Sequence, residues 1–399
     1  MKSSNNQPKK RIRLLIISPY PVFPPESGGK IRIVELAEHL YLSGISATVV
    51  TPYKPGQRNK FYNSKTVHLI EIKYPFLLPL FFTKYLFPYG YLCSIHPGYG
   101  ILLKKFLDSY DVFQFEHVFF GDILNYIHSG KPVLYDAHNI EYDYCRSECG
   151  MTVIKKIVGK RIYRLEKALV QAAAITLACS EEEKSRFVNL YEIPEKKIKI
   201  LPNGIKEIVE PNRYGGRKAL FEKFPQLQQF PMHAIFSGSN VEHNRNAVKF
   251  IIEKIAPALR QKCAFIIHGR GGKSFAKQNH YNVFFDLAYN EFELYAHSGA
   301  IGLNPMTQGA GTNLKLLHYL AHGLQVISTD FGMRGYEKFN PFVLTRPIDG
   351  FVDALKSIES PSTGTPTELR DYLWEKIAFD LGTTIHKLYR QHSVINYSA

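Results

Sequence analysis

The stretch AIGLNPMTQGAGTNLKLLHYLAHGLQVIST, residues 300–329, holds a complete structural unit. A short apolar run (AIGL, 300–303) leads into a loop with Gly309, Ala310 and Gly311; a helical pattern follows, and then a second apolar run (QVIST, 325–329). Strand, glycine turn, helix and strand in that order read as a βαβ unit with parallel strands. Thr312 stands where a helix N-cap is expected, and Lys315 and His318 share one helix face. Glycine lets backbone approach a ligand closely, and the amides at a helix start favour an anion. With Lys315 as a point charge, the loop reads as a diphosphate site. The plainer alternative is a glycine turn ahead of an amphipathic helix with Lys315 in solvent.

Outward from this unit the alternation continues. Apolar, β-branched runs occur at LLIIS (14–18), ATVVT (47–51), DVFQF (111–115), PVLYD (132–136), AITLA (174–178) and KIKIL (197–201). A second series follows at HAIFSG (233–238), AFIIHG (264–269), NVFF (282–285), AIGL, QVIST and FVLT (342–345). Helical patterns fill the gaps, so the expected fold class is α/β, with two doubly wound, Rossmann-like domains facing across a cleft. The segment LPNGIKEIVEPNRYGG (201–216) clusters Pro, Asn and Gly without helical period and reads as the linker. The expected organisation is a disordered basic N-terminus at 1–11, an acceptor domain at 12–204, a nucleotide-sugar domain at 205–368, and a C-terminal helix at 369–399 packing on or near the first domain. Ser180 with Glu183 forms a capping box, and Val248, Ile251, Ile252, Ile255 and Leu259 line one helix face.

Composition narrows the function classes. A chain of 399 residues, 45% hydrophobic and 21% charged, is neither a stapled mini-scaffold nor a disordered chain. The net charge of +15 favours an anionic partner: a phosphate-bearing ligand, an acidic membrane face or nucleic acid. No nucleic-acid recognition module accompanies the charge, so that partner is not expected. Five cysteines without a second close pair read as reduced thiols of a cytoplasmic protein, and no metal site is expected. The start MKSSNNQPKKRIR is polar, and the LLII run after it is too short for an export signal. No uncharged apolar stretch reaches the roughly 18 residues of a spanning helix. The aromatic stretch YPFLLPLFFTKYLFPYGYL (74–92) suits a membrane interface or a hairpin folded onto the core. Segment 151–171, with Lys155, Lys156, Lys160, Arg161, Arg164 and Lys167 against Glu166, suits an anionic membrane surface or a solvated helix face.

In open α/β sheets ligands bind beyond the carboxyl ends of the strands. After the first strand comes SPYPVFPPESGGKIRIVELAEHL (18–40), where Gly28 and Gly29 precede a helix. Glu116 and His117 follow the strand DVFQF, and His138, Asn139 and Glu141 follow PVLYD. Each of these polar residues is also at home as a satisfied strand-end group.

Taken together, SPYPVFPPESGG, DAHNIEYD (136–143), ACSEEEK (178–184), LPNGI (201–205), FSGSNVEHNRNAVKFIIEKIAPAL (236–259) and QGAGTNLKLLHYLAHGLQVIST (308–329) resemble, in order, the retaining GT-B-fold glycosyltransferases of family 4. The resemblance implies a hexosyltransferase-type enzyme, metal-independent and without a cofactor, that takes a nucleotide sugar, UDP-linked by preference, to a glycan, glycolipid or small-metabolite acceptor. It places the donor diphosphate on Gly309, Ala310, Gly311, Thr312 and Lys315, with Arg245 as a second cation and Arg270 as a further candidate; Gly28 and Gly29, read from the residues alone, either let backbone amides at a helix start meet an anion or form only a tight strand-to-helix turn. Glu116 would orient the attacking hydroxyl and His138 would lie near the donor phosphate. His318 departs from the family, whose members usually carry a glutamate there to hold the ribose hydroxyls; imidazole offers one hydrogen bond per nitrogen where a carboxylate accepts two hydroxyls. That departure keeps a second reading open, a non-catalytic GT-B subunit that stabilises a partner transferase. The expected location is the cytoplasm, with attachment to the inner membrane face.

Overall fold

The computed structural model describes residues 11–25, 27–53, 64–73, 101, 104–105, 108–118, 130–148, 153–210, 213–287, 292–309, 311–359 and 364–397. Ala310 and the aromatic stretch 74–92 lie outside the described residues.

Seven parallel strands form the first sheet, in the order β3-β2-β1-β4-β5-β6-β7. They are β1 (Ile12–Ile17), β2 (Ile45–Tyr53), β3 (Val67–Lys73), β4 (Val112–Glu116), β5 (Val133–Asp136), β6 (Ile175–Ala178) and β7 (Ile198–Ile200). The second sheet, also parallel, runs β10-β9-β8-β11-β12-β13. Its strands are β8 (Met232–Ser237), β9 (Cys263–His268), β10 (Val283–Asp286), β11 (Ile301–Asn304), β12 (Val326–Ser328) and β13 (Val343–Thr345). Central strands such as β1 (IRLLII) and β9 (CAFIIH) are apolar nearly throughout because helices cover both sheet faces. The edge strand β3 was missed by the run of apolar letters; VHLIEIK exposes His68 and mixes polar with apolar residues, as an edge does.

Each sheet reverses its winding once, between β1 and β4 and between β8 and β11. These switch points are where an open α/β sheet leaves a crevice above its carboxyl edge. The strand ends at the first are Ser18 to Tyr20, Glu116 to His117 and Asp136 to His138; at the second they are Ser237 to Gly238 and Asn304.

Local signals act as the residue types dictate. The Ser180 hydroxyl accepts the Glu183 amide at 3.2 Å, while the Glu183 carboxylate accepts the Cys179 amide at 2.9 Å, one residue ahead of the cap. The helix Glu242–Phe250 continues into a π-helical turn, Ile251–Ile255, and keeps Val248, Ile251, Ile255 and Leu259 buried with Ile252 at the margin.

After β7 the chain crosses to the second sheet through Pro202, Asn203 and Gly204, and it returns beside the same path: the Ile205 amide donates to Tyr372 at 2.8 Å and the Trp374 amide donates to Ile205 at 3.0 Å. The helix Trp374–Tyr397 then lies against the first sheet's core, where Trp374, Ile377, Leu381 and Ile385 join Leu14, Ile16, Leu36 and Ile45. Trp374, the protein's one tryptophan, is 1% exposed. Trp374→Ala is expected to cost about 3–5 kcal/mol of stability in urea unfolding followed by circular dichroism, with Trp374→Phe costing less. A loss below about 1 kcal/mol would mean that the returning helix is not anchored there.

Candidate active site

Arg32 projects from the helix Gly28–His39 into the interior, with 1% of its side chain exposed. Burial opposes its charge, and Asp136 at the end of β5 outweighs that cost, so the guanidinium stays charged. Nε and Nη2 donate to the carboxylate at 2.7–3.0 Å, while Nη1 donates to the Pro202 carbonyl at 3.0 Å and to Asn203 Oδ1 at 3.3 Å. One buried cation thus ties the first helix, the centre of the sheet and the linker together. Nothing local in the sequence announces it, since its partners lie more than a hundred residues away.

Beside this pair, Glu116 is wholly buried, accepting from Gln114 Nε2 at 2.7 Å with Oε1 and facing His138 Nε2 at 2.6 Å with Oε2. Burial raises the Glu116 carboxyl well above its usual range, with Asp136 adding to the shift, and lowers His138 to about 4. Burial thus favours the uncharged form of each partner. Glu116, expected to orient the attacking hydroxyl, is thus buried with Gln114 on one oxygen and His138 on the other, and it holds the His138 ring. His138 Nε2 accepts from the Glu116 acid, leaving Nδ1 to donate toward the Tyr20 hydroxyl at 3.5 Å. Tyr20 in turn meets His117 Nε2 at 2.8 Å, and His117 Nδ1 meets Glu141 at 2.6 Å. These tautomers are assigned from the hydrogen bonds, and they run in one direction, from Glu116 through His138, Tyr20 and His117 to Glu141. His117 adopts a left-handed φ of 65°, a conformation that costs about 1–3 kcal/mol and aims its ring into this chain.

Glu116, Asp136 and His138 bring one ligand atom each within 4.8 Å of one another, the composition of a metal-binding set. Arg32 already occupies Asp136, so the cation of this cluster is a side chain.

Across the cleft the loop ahead of the helix Leu314–Ala321 is built as its glycines require. Gly309 has φ 128° beside the His243 ring, and Gly311 has φ 68°. A Cβ on Gly311 would lie 2.6 Å from Asn139 Oδ1, and one on Gly29 would lie 2.7 Å from His138 Nδ1 and 2.8 Å from the Tyr20 hydroxyl. Gly28 faces Leu314 at the start of that helix. The two glycine loops therefore bring the halves together around His138. Thr312 does not cap that helix, as the sequence suggests; the cap position is Asn313, which makes no side-chain capping bond. The Thr312 hydroxyl instead accepts from Asn203 and Tyr336.

Lys315 points its ammonium at Asn244 Oδ1, 2.8 Å away, and over the Phe236 ring, 4.4 Å from its centre. Burial lowers it to about 7, so an incoming anion would restore its charge. Arg245, next along from Asn244, is half-buried and bonds Asn240 Oδ1 at 3.1 Å. Arg270 is exposed beyond β9. His318 sits on the same helix against Phe292, and burial lowers it to about 4, leaving a neutral imidazole.

The match to known families is decided by two models laid end to end along this fold: Glycosyltransferase Family 4 over residues 27–207 and Glycosyl transferases group 1 over residues 232–358. The chain belongs to the family 4 glycosyltransferases. No curated protein matches the sequence significantly. Among solved structures, sucrose-phosphate synthase from Thermosynechococcus elongatus is similar at 14% identity and TM-score 0.66, covering 97% of this chain and 99% of that one. WaaG, a glycosyltransferase of lipopolysaccharide biosynthesis, is similar at 18% identity and TM-score 0.62, covering 96% and 99%. Anabaena HepE, solved in complex with UDP-glucose, is similar at 12% identity and TM-score 0.59, covering 98% and 100%. These likenesses show the GT-B fold; the activity class, transfer of a sugar, comes from the two family models.

Arg32→Met would leave Asp136 buried without a counter-charge. Denaturant unfolding should show a loss of about 3–5 kcal/mol, part of it regained when Asp136→Asn is added. A single variant as stable as the parent would show that the pair does not anchor the fold.

Proposed function

We propose that this glycosyltransferase takes a UDP-linked sugar in the cleft and passes it, with retained anomeric configuration, to a hydroxyl of a glycan, glycolipid or small-metabolite acceptor. The observation that carries the reading is the Gly309–Gly311 turn, with Lys315 behind it, set against the His138–Asn139 loop of the other half. Backbone amides at the uncapped helix start and the Lys315 ammonium suit a diphosphate, and they meet the charge that grows on it as the sugar leaves, chemistry that needs no metal ion. The acceptor oxygen bonds to the anomeric carbon, the bond from that carbon to the diphosphate breaks, and the hydroxyl proton ends on the departing phosphate oxygen. His138 lies where the two halves meet, the natural place for a contact to the transferred sugar. The UDP-glucose complex of the similarly folded HepE supports the uridine choice. His318 serves the ribose with a single hydrogen bond, so ribose contributes less to affinity than a carboxylate would allow.

Titration with UDP tests the donor half. Lys315→Ala should weaken binding on the order of tenfold to a hundredfold while leaving the unfolding transition in place. The free-protein pKa of about 7 gives the sign of the pH effect: affinity is level below pH 7 and declines as pH rises above it, because binding must then draw a proton onto Lys315. Calorimetry at pH 8 in buffers of different ionisation enthalpy should register that proton uptake. Equal heats in all buffers, or an unchanged affinity in Lys315→Ala, would remove Lys315 from the site.

For location we propose the cytoplasmic side of an anionic membrane. Along the helix Val153–Ala172 the side chains of Lys156, Lys160, Arg161 and Arg164 are exposed with Ile157, itself 64% exposed. The helix's acid, Glu166, turns inward to accept the Glu141 and Tyr142 amides, at 2.9 and 3.0 Å, and the Tyr135 hydroxyl. A face of cations around an apolar residue matches an acidic lipid surface, at about 1 kcal/mol for each basic group near it. No helix among the described residues is long and apolar enough to cross a membrane. Flotation should recover the protein with phosphatidylglycerol vesicles and not with phosphatidylcholine vesicles, and the recovery should fall with salt. Equal recovery from both would contradict the membrane reading.

A further inference from the structure

Asn203, in the linker, touches both halves at once. Its Oδ1 accepts from Arg32 Nη1 at 3.3 Å, and its Nδ2 donates to Thr312 Oγ1 at 2.9 Å. Arg32 is fixed in turn on Asp136 and on the Pro202 carbonyl, so the amide of Asn203 is held from the side of the first sheet. On the other side, Thr312 Oγ1 also accepts from the Tyr336 hydroxyl at 3.0 Å. A threonine oxygen has two lone pairs and one proton, so with both pairs engaged Thr312 is left with a hydrogen bond to donate. Packing closes on the same residue. Gly335, at φ +78°, sits so near that a Cβ there would lie 2.5 Å from Thr312 Cγ2 and 3.1 Å from Ser180 Cβ of the first half. A further tie, from Arg334 Nη2 to the Gly311 carbonyl at 3.3 Å, steadies the preceding residue.

We propose that Asn203 is a positioning residue for sugar donation: acting through Thr312, it sets the end of the glycine loop and turns the Thr312 hydroxyl into an oriented donor for the nucleotide diphosphate. The inference rests on the donor reading above and deepens it. The helix Leu314–Ala321 begins without a side-chain cap, so its first amides gain their alignment from what holds residues 311–313. The amide of Asn203 supplies that hold from outside the domain that carries the loop. A site whose donors are already aimed binds more tightly than one that must order its loop on binding. The arrangement also makes the donor site sensitive to the linker: a change in how the halves sit moves Asn203 and, with it, Thr312.

The test uses the full-length protein, the variants Thr312→Val, Thr312→Ser, Asn203→Leu and the Val/Leu double, and two readouts: UDP affinity by calorimetry, and amide hydrogen exchange of residues 314–317 without ligand. Thr312→Val and Asn203→Leu should each weaken UDP roughly tenfold and speed exchange at the helix start. Thr312→Ser, which keeps the hydroxyl, should stay within about twofold of the parent, and the double variant should lose no more than either single one, because both remove the same bond. Additive losses, or a loss confined to Thr312→Val, would overturn the role of Asn203. If the parent binds none of UDP, GDP and ADP, the donor reading falls by itself, and the exchange data still decide the contact: faster exchange in Asn203→Leu upholds the positioning, and unchanged exchange overturns it. A variant that fails to fold is replaced by Asn203→Ala, judged on the same outcomes.

Discussion

A guanidinium with 1% of its side chain exposed keeps its charge only where acceptors reach it, and for Arg32 they come from the end of β5 and from the linker. The cost of removing a charge from water makes that geometry strict. Asp136 must lie at the carboxyl edge of the sheet, and Pro202 and Asn203 must pass directly beneath the helix that carries Arg32. The point at which the chain leaves the first half is thereby fixed, and so is the approach of the second half toward it. The returning helix Trp374–Tyr397 completes the constraint by packing beside the helix that carries Arg32, in the cluster that holds Leu36.

From that constraint follows the form of the cleft. The halves come so close at His138 and Asn139 that a side chain is excluded at Gly311 of the second, while within the first half His138 and Tyr20 leave no room for one at Gly29. Around this contact the polar groups divide their work. The first half holds a buried chain of hydrogen bonds from Glu116 to Glu141, with the left-handed His117 backbone aiming its ring into it. The second half presents a glycine turn, an uncapped helix start and a lysine whose charge burial has weakened. An anion placed there favours the charged form of Lys315, which suits a site for a diphosphate.

The sequence made much of this legible, and the exceptions have a physical cause. Buried parallel strands are apolar on both faces and stand out as runs; β3, half-exposed at an edge, does not. Glycine loops after strands located both walls of the cleft, because close backbone approach leaves few residues to choose from. Long-range polar partners left no such mark. Arg32 reads as one more basic residue on an amphipathic helix until Asp136 is found beside it, and Asn203 reads as linker punctuation until its amide meets Thr312. His243 and Asn244, neighbours of Gly309 and Lys315, were passed over for Arg245 because charge is visible in a sequence and an amide aimed at a lysine is not. Thr312 failed as a cap for the same reason: its partners come from elsewhere in the chain. The sequence placed Glu116 at a strand end, but not its partners: Gln114 two residues before it and His138 on the next strand's loop.

The claim at the centre of this account is retaining sugar transfer across the cleft, and the most direct measurement is proton NMR of the reaction itself. The full-length protein, a panel of UDP-sugars and a glycolipid-containing extract would be followed for UDP release and for the anomeric signal of the new glycoside. The account predicts UDP release that depends on added acceptor and a product with the donor's anomeric configuration. A product of inverted configuration, or the absence of both binding and release with every nucleotide sugar, would contradict it.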